Sequence, residues 1–331
     1  MNLHACITLL ALLPCIDPVG QAFLPVVGGP SGGHSCPPET LRFAPPPPPA
    51  IALFVAPEQG PDFADEKNIL AESSDRDRLE AAAVALARSG NEAALAILEA
   101  FLKDKAFLAR LDELGDPQQK TRRLGHIMAA LATHPTPAVA DLCLRLRGDP
   151  AYTSDDDRIA FLLTAAAAVS PMDKPTVEFF RETAARGYFA LNARLLAANG
   201  SAPALSLLQS MVTDETVPLQ RRIDALHEAL PTHRTDRGVI ETAGHILASK
   251  PVEAIANGVL ESIFEFRAKE WFGTHPPTPA PWNQASPEAA AAARRLAATA
   301  IDRPTVPPSL RKAIEAAVSQ LPAESEPKQA P

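Results

Sequence analysis

The residues that could do chemistry in this chain are few, and their spacing fits none of the usual machinery. His227 and Glu228 fall in HEALPTH, where a zinc protease needs a second histidine one helical turn after the first; the next is His233, six residues on. TSDDDR (153–158) lacks the alternating DxDxDG order that wraps a calcium ion, and its aspartates read as the negative start of a helix. GPSGG (29–33) spells a nucleophile elbow around Ser31, but it sits among prolines and glycines with no strand before it and no helix after it. Cys6, Cys15, Cys36 and Cys143 include no CxxC pair, and the sequence leaves open whether Cys36 and Cys143 bridge. The histidines read as solvated or capping residues. The chain is therefore expected to be no enzyme, with no catalytic residue, no metal ligand and no cofactor.

A different kind of site is suggested by KEWFGTHPPTPAPWNQ (269–284), which holds both tryptophans of the chain at the feet of a proline loop. Tryptophan is enriched at interface hot spots, so Trp271, Phe272 and Trp282 are the candidate partner-binding residues. The same indoles also read as a clasp that pins a terminal hairpin onto the preceding helices. Prolines in the loop cannot continue a helix and hold the connection extended. Three arginine doublets, Arg122-Arg123, Arg221-Arg222 and Arg294-Arg295, read as solvated surface, with a basic ridge for an acidic partner as the alternative.

Composition sets what can position such residues. The 331 residues are 46% hydrophobic but only 5% aromatic, so Ala and Leu must build the core. A net charge of −8 argues against a phosphate-gripping face, and no nucleic acid partner is expected. Residues 1–22 have an apolar run from Ala5 to Leu13 and a small-residue pair at Gly20 and Ala22, the layout of a signal peptide, although no Lys or Arg precedes Arg42. The run is too short to span a bilayer, so no integral membrane span is expected. This leader predicts a periplasmic or secreted protein; the alternative is a greasy leader on a cytoplasmic one. Residues 23–63 form a Pro/Gly-rich disordered tether whose APPPPPA segment favours stiff polyproline II.

From residue 64 the apolar residues recur at helical spacing. SSDRDRLEAAAVALARSG predicts a helix capped by Ser74 and ended by Gly90, burying Leu79, Ala82, Ala83 and Leu86. The next buries Leu95, Leu98, Phe101 and Leu102; another starts from a Ser154 cap, and KPTVEFFRETAARG and YFALNARLLAANG read as one helix each. No stretch alternates as a half-buried strand would, so the expected fold is all-α. Candidate second helices of successive pairs begin near residues 91, 136, 174, 202 and 237.

Helix pairs of this length, with Pro near helix starts and Ala/Leu cores, resemble HEAT repeats over roughly residues 64–270. Tetratricopeptide repeats are the rival likeness, and a compact helical bundle the plain one. The HEAT resemblance implies an α-solenoid of stacked antiparallel helix hairpins. It divides the chain into repeats over 64–273, a Pro-rich loop over 274–285, a terminal hairpin over 286–321 capped by Ser286, and a disordered tail over 322–331. Iron hydroxylases built on such repeats carry several His-Glu pairs; this chain has only His227-Glu228, so that activity is not carried over. The implied function is a non-catalytic scaffold or adaptor binding a protein partner along the second helix of each pair. Alternatives are a helical enzyme with a cleft in the solenoid curve, or a structural assembly subunit.

Overall fold

A computed structural model describes residues 63–112, 122–265 and 278–323, and among them every regular element is a helix. The leader, the tether, Trp271, Phe272 and the last eight residues lie outside the described residues. None of the described helices is long and apolar enough to cross a membrane.

Helix α1 (Ala64–Glu72) packs on α2 (Arg76–Ser89), which turns at Gly90 into α3 (Glu92–Leu102), followed by the short α4 (Lys105–Asp112). Then come α5 (Arg122–Thr133) with α6 (Pro137–Leu146), α7 (Asp156–Ala167) with α8 (Lys174–Thr183), and α9 (Phe189–Asn199) with α10 (Ala202–Thr213). The series continues through α11 (Leu219–Ala229), α12 (Arg237–Ala248) and α13 (Glu253–Leu260), and ends with α14 (Pro287–Ile301) and α15 (Pro308–Ser319).

The packing sorts these helices into two rows. In the first, α2 touches α5, α5 touches α7, and contact passes on through α9, α11 and α13. In the second, α3, α6, α8, α10, α12 and α14 follow one another in the same way. Between the rows lies one continuous core. It is built mainly of Leu and Ala, including the fully buried Leu79, Leu98, Leu131, Leu163, Leu196, Leu208 and Leu226. Cys143 belongs to it as a free thiol with no exposed surface, and burial pushes that thiol up to about 12.

Local chemistry explains the boundaries, with corrections to the expected ones. The caps of α2 and α7 are Asp75 and Asp155 rather than Ser74 and Ser154; each carboxylate accepts from two N–H groups of the first turn. A carboxylate answers the partial positive charge of a helix start better than a hydroxyl does. Ser154 instead donates to Pro150 O at 2.9 Å. Ser286 caps α14 as expected, accepting from Ala289 N. Phe101 is only half-buried. Between α8 and α9 the chain kinks through a tight turn, Ala184–Tyr188, where Gly187 takes the non-helical φ 125°. That angle is open to glycine and strained for other residues.

Polar side chains tie helix ends across hairpins. Asn199 Nδ2 donates to Ala167 O at 2.7 Å and Val169 O at 2.8 Å, satisfying carbonyls at the end of α7 that the helix leaves unpaired. Arg110 does the same at the end of α1, donating to Leu70 O and Ser73 O. Replacing a donor that serves half-buried acceptors strands them, so Asn199→Ala is expected to cost about 2 kcal/mol. Urea unfolding will show this as a lower midpoint with an unchanged slope.

Candidate functional site

The proline loop re-enters the described chain at residue 278, and its second tryptophan is a core residue. Trp282 opens a 3₁₀ turn, Trp282–Gln284, and is 2% exposed. Its ring stacks on Phe264 with centroids 5.8 Å apart and planes inclined by 23°. The Arg234 guanidinium lies over the indole, 5.1 Å from its centroid, and Arg234 Nε donates to Ala280 O at 2.6 Å. Ala280 N in turn donates to Pro231 O at 3.2 Å. Burial lowers the pKa of this guanidinium, since taking a cation out of water disfavours its charged form. Of the three aromatic residues expected to meet a partner, Trp282 thus turns its side chain inward and pins residues 280–282 to the segment between α11 and α12. Among the described residues the indole Nε1–H is buried without a hydrogen-bond partner, a cost that the stacking must outweigh.

Two groups of charged side chains bridge first-row helices. At the α2–α5 seam Glu80 is gripped twice: Arg123 Nη1 donates to one oxygen at 2.6 Å, and His126 Nδ1 meets the other at 2.6 Å. Arg123 also reaches Asp77 at 2.8 Å, and its guanidinium pKa is raised by these carboxylates in spite of partial burial. His126 is therefore a partner of a carboxylate across a seam, not a solvated residue.

The same residue types meet differently at α9, α11 and α13. His227 and Glu228 are neighbours on α11, and adjacent helical residues point about 100° apart. Glu228 accordingly faces Arg194 of α9, with Arg194 Nη1 4.0 Å from its Oε2. His227 faces Glu261, at the start of the π-helical turn Glu261–Glu265 that extends α13, with Nε2 3.9 Å from Oε2. Ser262 of that turn, fully buried, donates back to Gly258 O of α13 at 2.6 Å. Glu228 is pushed up to about 7, first by burial and then by Asp224 one turn back, against the opposing pull of Arg194. A carboxyl poised there can give or take a proton at neutral pH. Among the described residues no group of three His, Cys, Asp or Glu could hold a metal ion.

Sequence reading singled out His227-Glu228 for a zinc pattern it lacks and passed over Glu80, Arg194 and Glu261. No local signal marks them: Glu80 and His126 are 46 residues apart and meet only because α2 and α5 stack. Removal of the buried indole tests the pinning role. Trp282→Ala is expected to lower stability by about 3–5 kcal/mol, and Trp282→Phe, which keeps a ring on Phe264, by clearly less; thermal melting compares the two.

No protein family, curated protein or solved structure matches this chain.

Proposed function

We propose that this chain is a non-catalytic scaffold or adaptor that binds another protein along a HEAT-like solenoid, in the periplasm or outside the cell. The two-row stack supports the solenoid reading, because each pair of helices buries its apolar face against the next pair. One observation carries the binding reading. Among the described residues the exposed large hydrophobic side chains are Leu219, 41% exposed, and Val252, 48% exposed. Leu219 is the first residue of α11 and Val252 caps α13, and these helices are neighbours in the first row. Half-buried Val217 and Ile223 adjoin Leu219 in sequence and pack against the core. Exposed aliphatics at the starts of adjacent helices suit the apolar centre of an interface with a polar rim. We therefore move the partner face from the second helices, where sequence placed it, to the starts of the first-row helices.

A helical enzyme is the second reading, favoured by the position of Glu228 near neutrality in the first row.

In-cell cross-linking of the tagged full-length protein, read by mass spectrometry, tests the scaffold. One partner is expected in near-stoichiometric amount, and the double variant Leu219→Asp/Val252→Asp is expected to lose it without a change in Tm. Retention of that partner by the double variant would remove this face from consideration.

A further inference from the structure

We infer that the partner brings an acidic side chain, flanked by aliphatic ones, to the start of α11, where the Arg222 guanidinium and the uncapped first turn receive it. This inference rests on the scaffold reading, whose face it shares, and adds the chemistry of what binds there.

The Arg221-Arg222 doublet does not lie on the surface as a pair. Arg221 is half-buried, with its guanidinium 5.4 Å from the ring centroid of Phe189 at the start of α9. Arg222 is only 7% exposed, its Nε is buried, and among the described residues no hydrogen bond or ion pair reaches its guanidinium. Arg123, by contrast, has Glu80 and Asp77, and Arg110 has the carbonyls of Leu70 and Ser73. A guanidinium taken out of water without an acceptor is a cost to the fold. The carboxylates near it in the chain are engaged elsewhere. Asp214 accepts from Thr216 N at 2.9 Å and Thr216 Oγ1 at 2.7 Å, and Asp224 accepts from Gln220 Nε2 at 2.8 Å.

Helical geometry sets where Arg222 points. Side chains on a helix lean toward its N-terminus, and residues three apart share a side, so Arg222 leans toward Leu219 in the first turn. Asp214, which ends α10 just ahead of that turn, feels the result: hydrogen bonds from Thr216 do most to hold its carboxyl below the ordinary value, and the Arg222 charge adds to them. No side chain caps α11, whose N-cap residue is Pro218, and none caps α13 beside it. The start of α11 thus joins a positive helix end, an unpaired cation and exposed Leu219, with Val252 exposed on the next helix of the row. A carboxylate arriving there gains hydrogen bonds from the guanidinium and from first-turn N–H groups, while its aliphatic neighbours cover Leu219 and Val252. A polyanion would leave those two side chains open, and a purely apolar segment would seal the cation in unpaired.

Selection from a displayed random-peptide library on the full-length protein tests this, with Arg222→Met and Leu219→Asp/Val252→Asp run in parallel. Peptides enriched on the wild type are expected to carry Asp or Glu among Leu, Ile or Val, and to lose about tenfold in affinity when that acid is changed to its amide. Arg222→Met keeps an apolar stem, so it is expected to melt no lower than the wild type and to lose the preference for the acidic residue. Selection of the same sequences by the wild type and Arg222→Met would leave the partner face standing and overturn the acidic site. Enrichment of nothing by the wild type would sink both. Enrichment that survives in Leu219→Asp/Val252→Asp puts the peptides elsewhere and also overturns the inference. Should Arg222→Met melt lower or fail to fold, the acid-to-amide change read on the wild type decides: a loss of about tenfold supports the site, and no loss removes it.

Discussion

No helix in this protein can bury its apolar stripe alone, and the rest of the structure follows from that constraint. Most of the described helices run eight to fifteen residues, a length at which isolated helices are marginal in water. Each gains its stability from lateral contact, with its hairpin partner in the other row and with the next helix in its own. Alanine makes those contacts close. Ala83, Ala94, Ala166, Ala193, Ala225 and Ala293 have no exposed surface at all. At Gly238 even alanine would be tight, since a Cβ there would lie 2.9 Å from Leu205 Cδ1 across the α10–α12 contact. A chain that is 5% aromatic can therefore still build a dense core, because small side chains bring backbones together and leucines fill what remains.

Close stacking raises a second problem, the unpaired carbonyls that every helix end leaves behind. The protein meets it with side chains borrowed from other hairpins. Asn199 serves the end of α7, Arg110 the end of α1, and buried Asn192 donates to Phe180 O and Thr183 Oγ1 where α8 passes into the kinked turn before α9. Each of these donors couples two elements that are adjacent only when the stack is formed. Hydrogen bonding here therefore reinforces the order of the rows as well as the individual helices. Trp282 and Arg234 play the equivalent part at the re-entry of the proline loop, using an aromatic stack where the chain has no helix to offer.

What could be read in advance divides along the same line. The second-row helices were expected near residues 91, 136, 174, 202 and 237, and they start at 92, 137, 174, 202 and 237. Those signals are local: a cap, a proline in the first turn, a glycine at the preceding turn. The competition between Ser and Asp for a cap was harder, because Ser74-Asp75 and Ser154-Asp155 offer both at adjacent positions and only the backbone angles decide. The burial of Trp282 was legible as one of two readings, since a tryptophan beside prolines suits a clasp and an interface equally. The Glu80, Arg194 and Glu261 contacts were not legible at all. They depend on which helix lies beside which, and on the rotation of each about its axis.

The two first-row charge clusters show how such contacts, invisible in sequence, set different physics from the same residue types. At Glu80, an arginine and a histidine arrive from one helix, α5, and both close to 2.6 Å, so attraction is delivered through hydrogen bonds. At Glu228 the arginine comes from α9 while the histidine of α11 is turned away toward α13, so neither closes on it. Burial then decides: it is the largest influence on Glu228, ahead of the Arg194 charge. Attraction across 4 Å falls short of offsetting the loss of water around the anion, so the carboxyl is pushed up to about 7. Splitting one pair of neighbours, His227 and Glu228, between two seams takes the histidine away from the carboxylate and leaves burial to decide, since adjacent residues on a helix point about 100° apart.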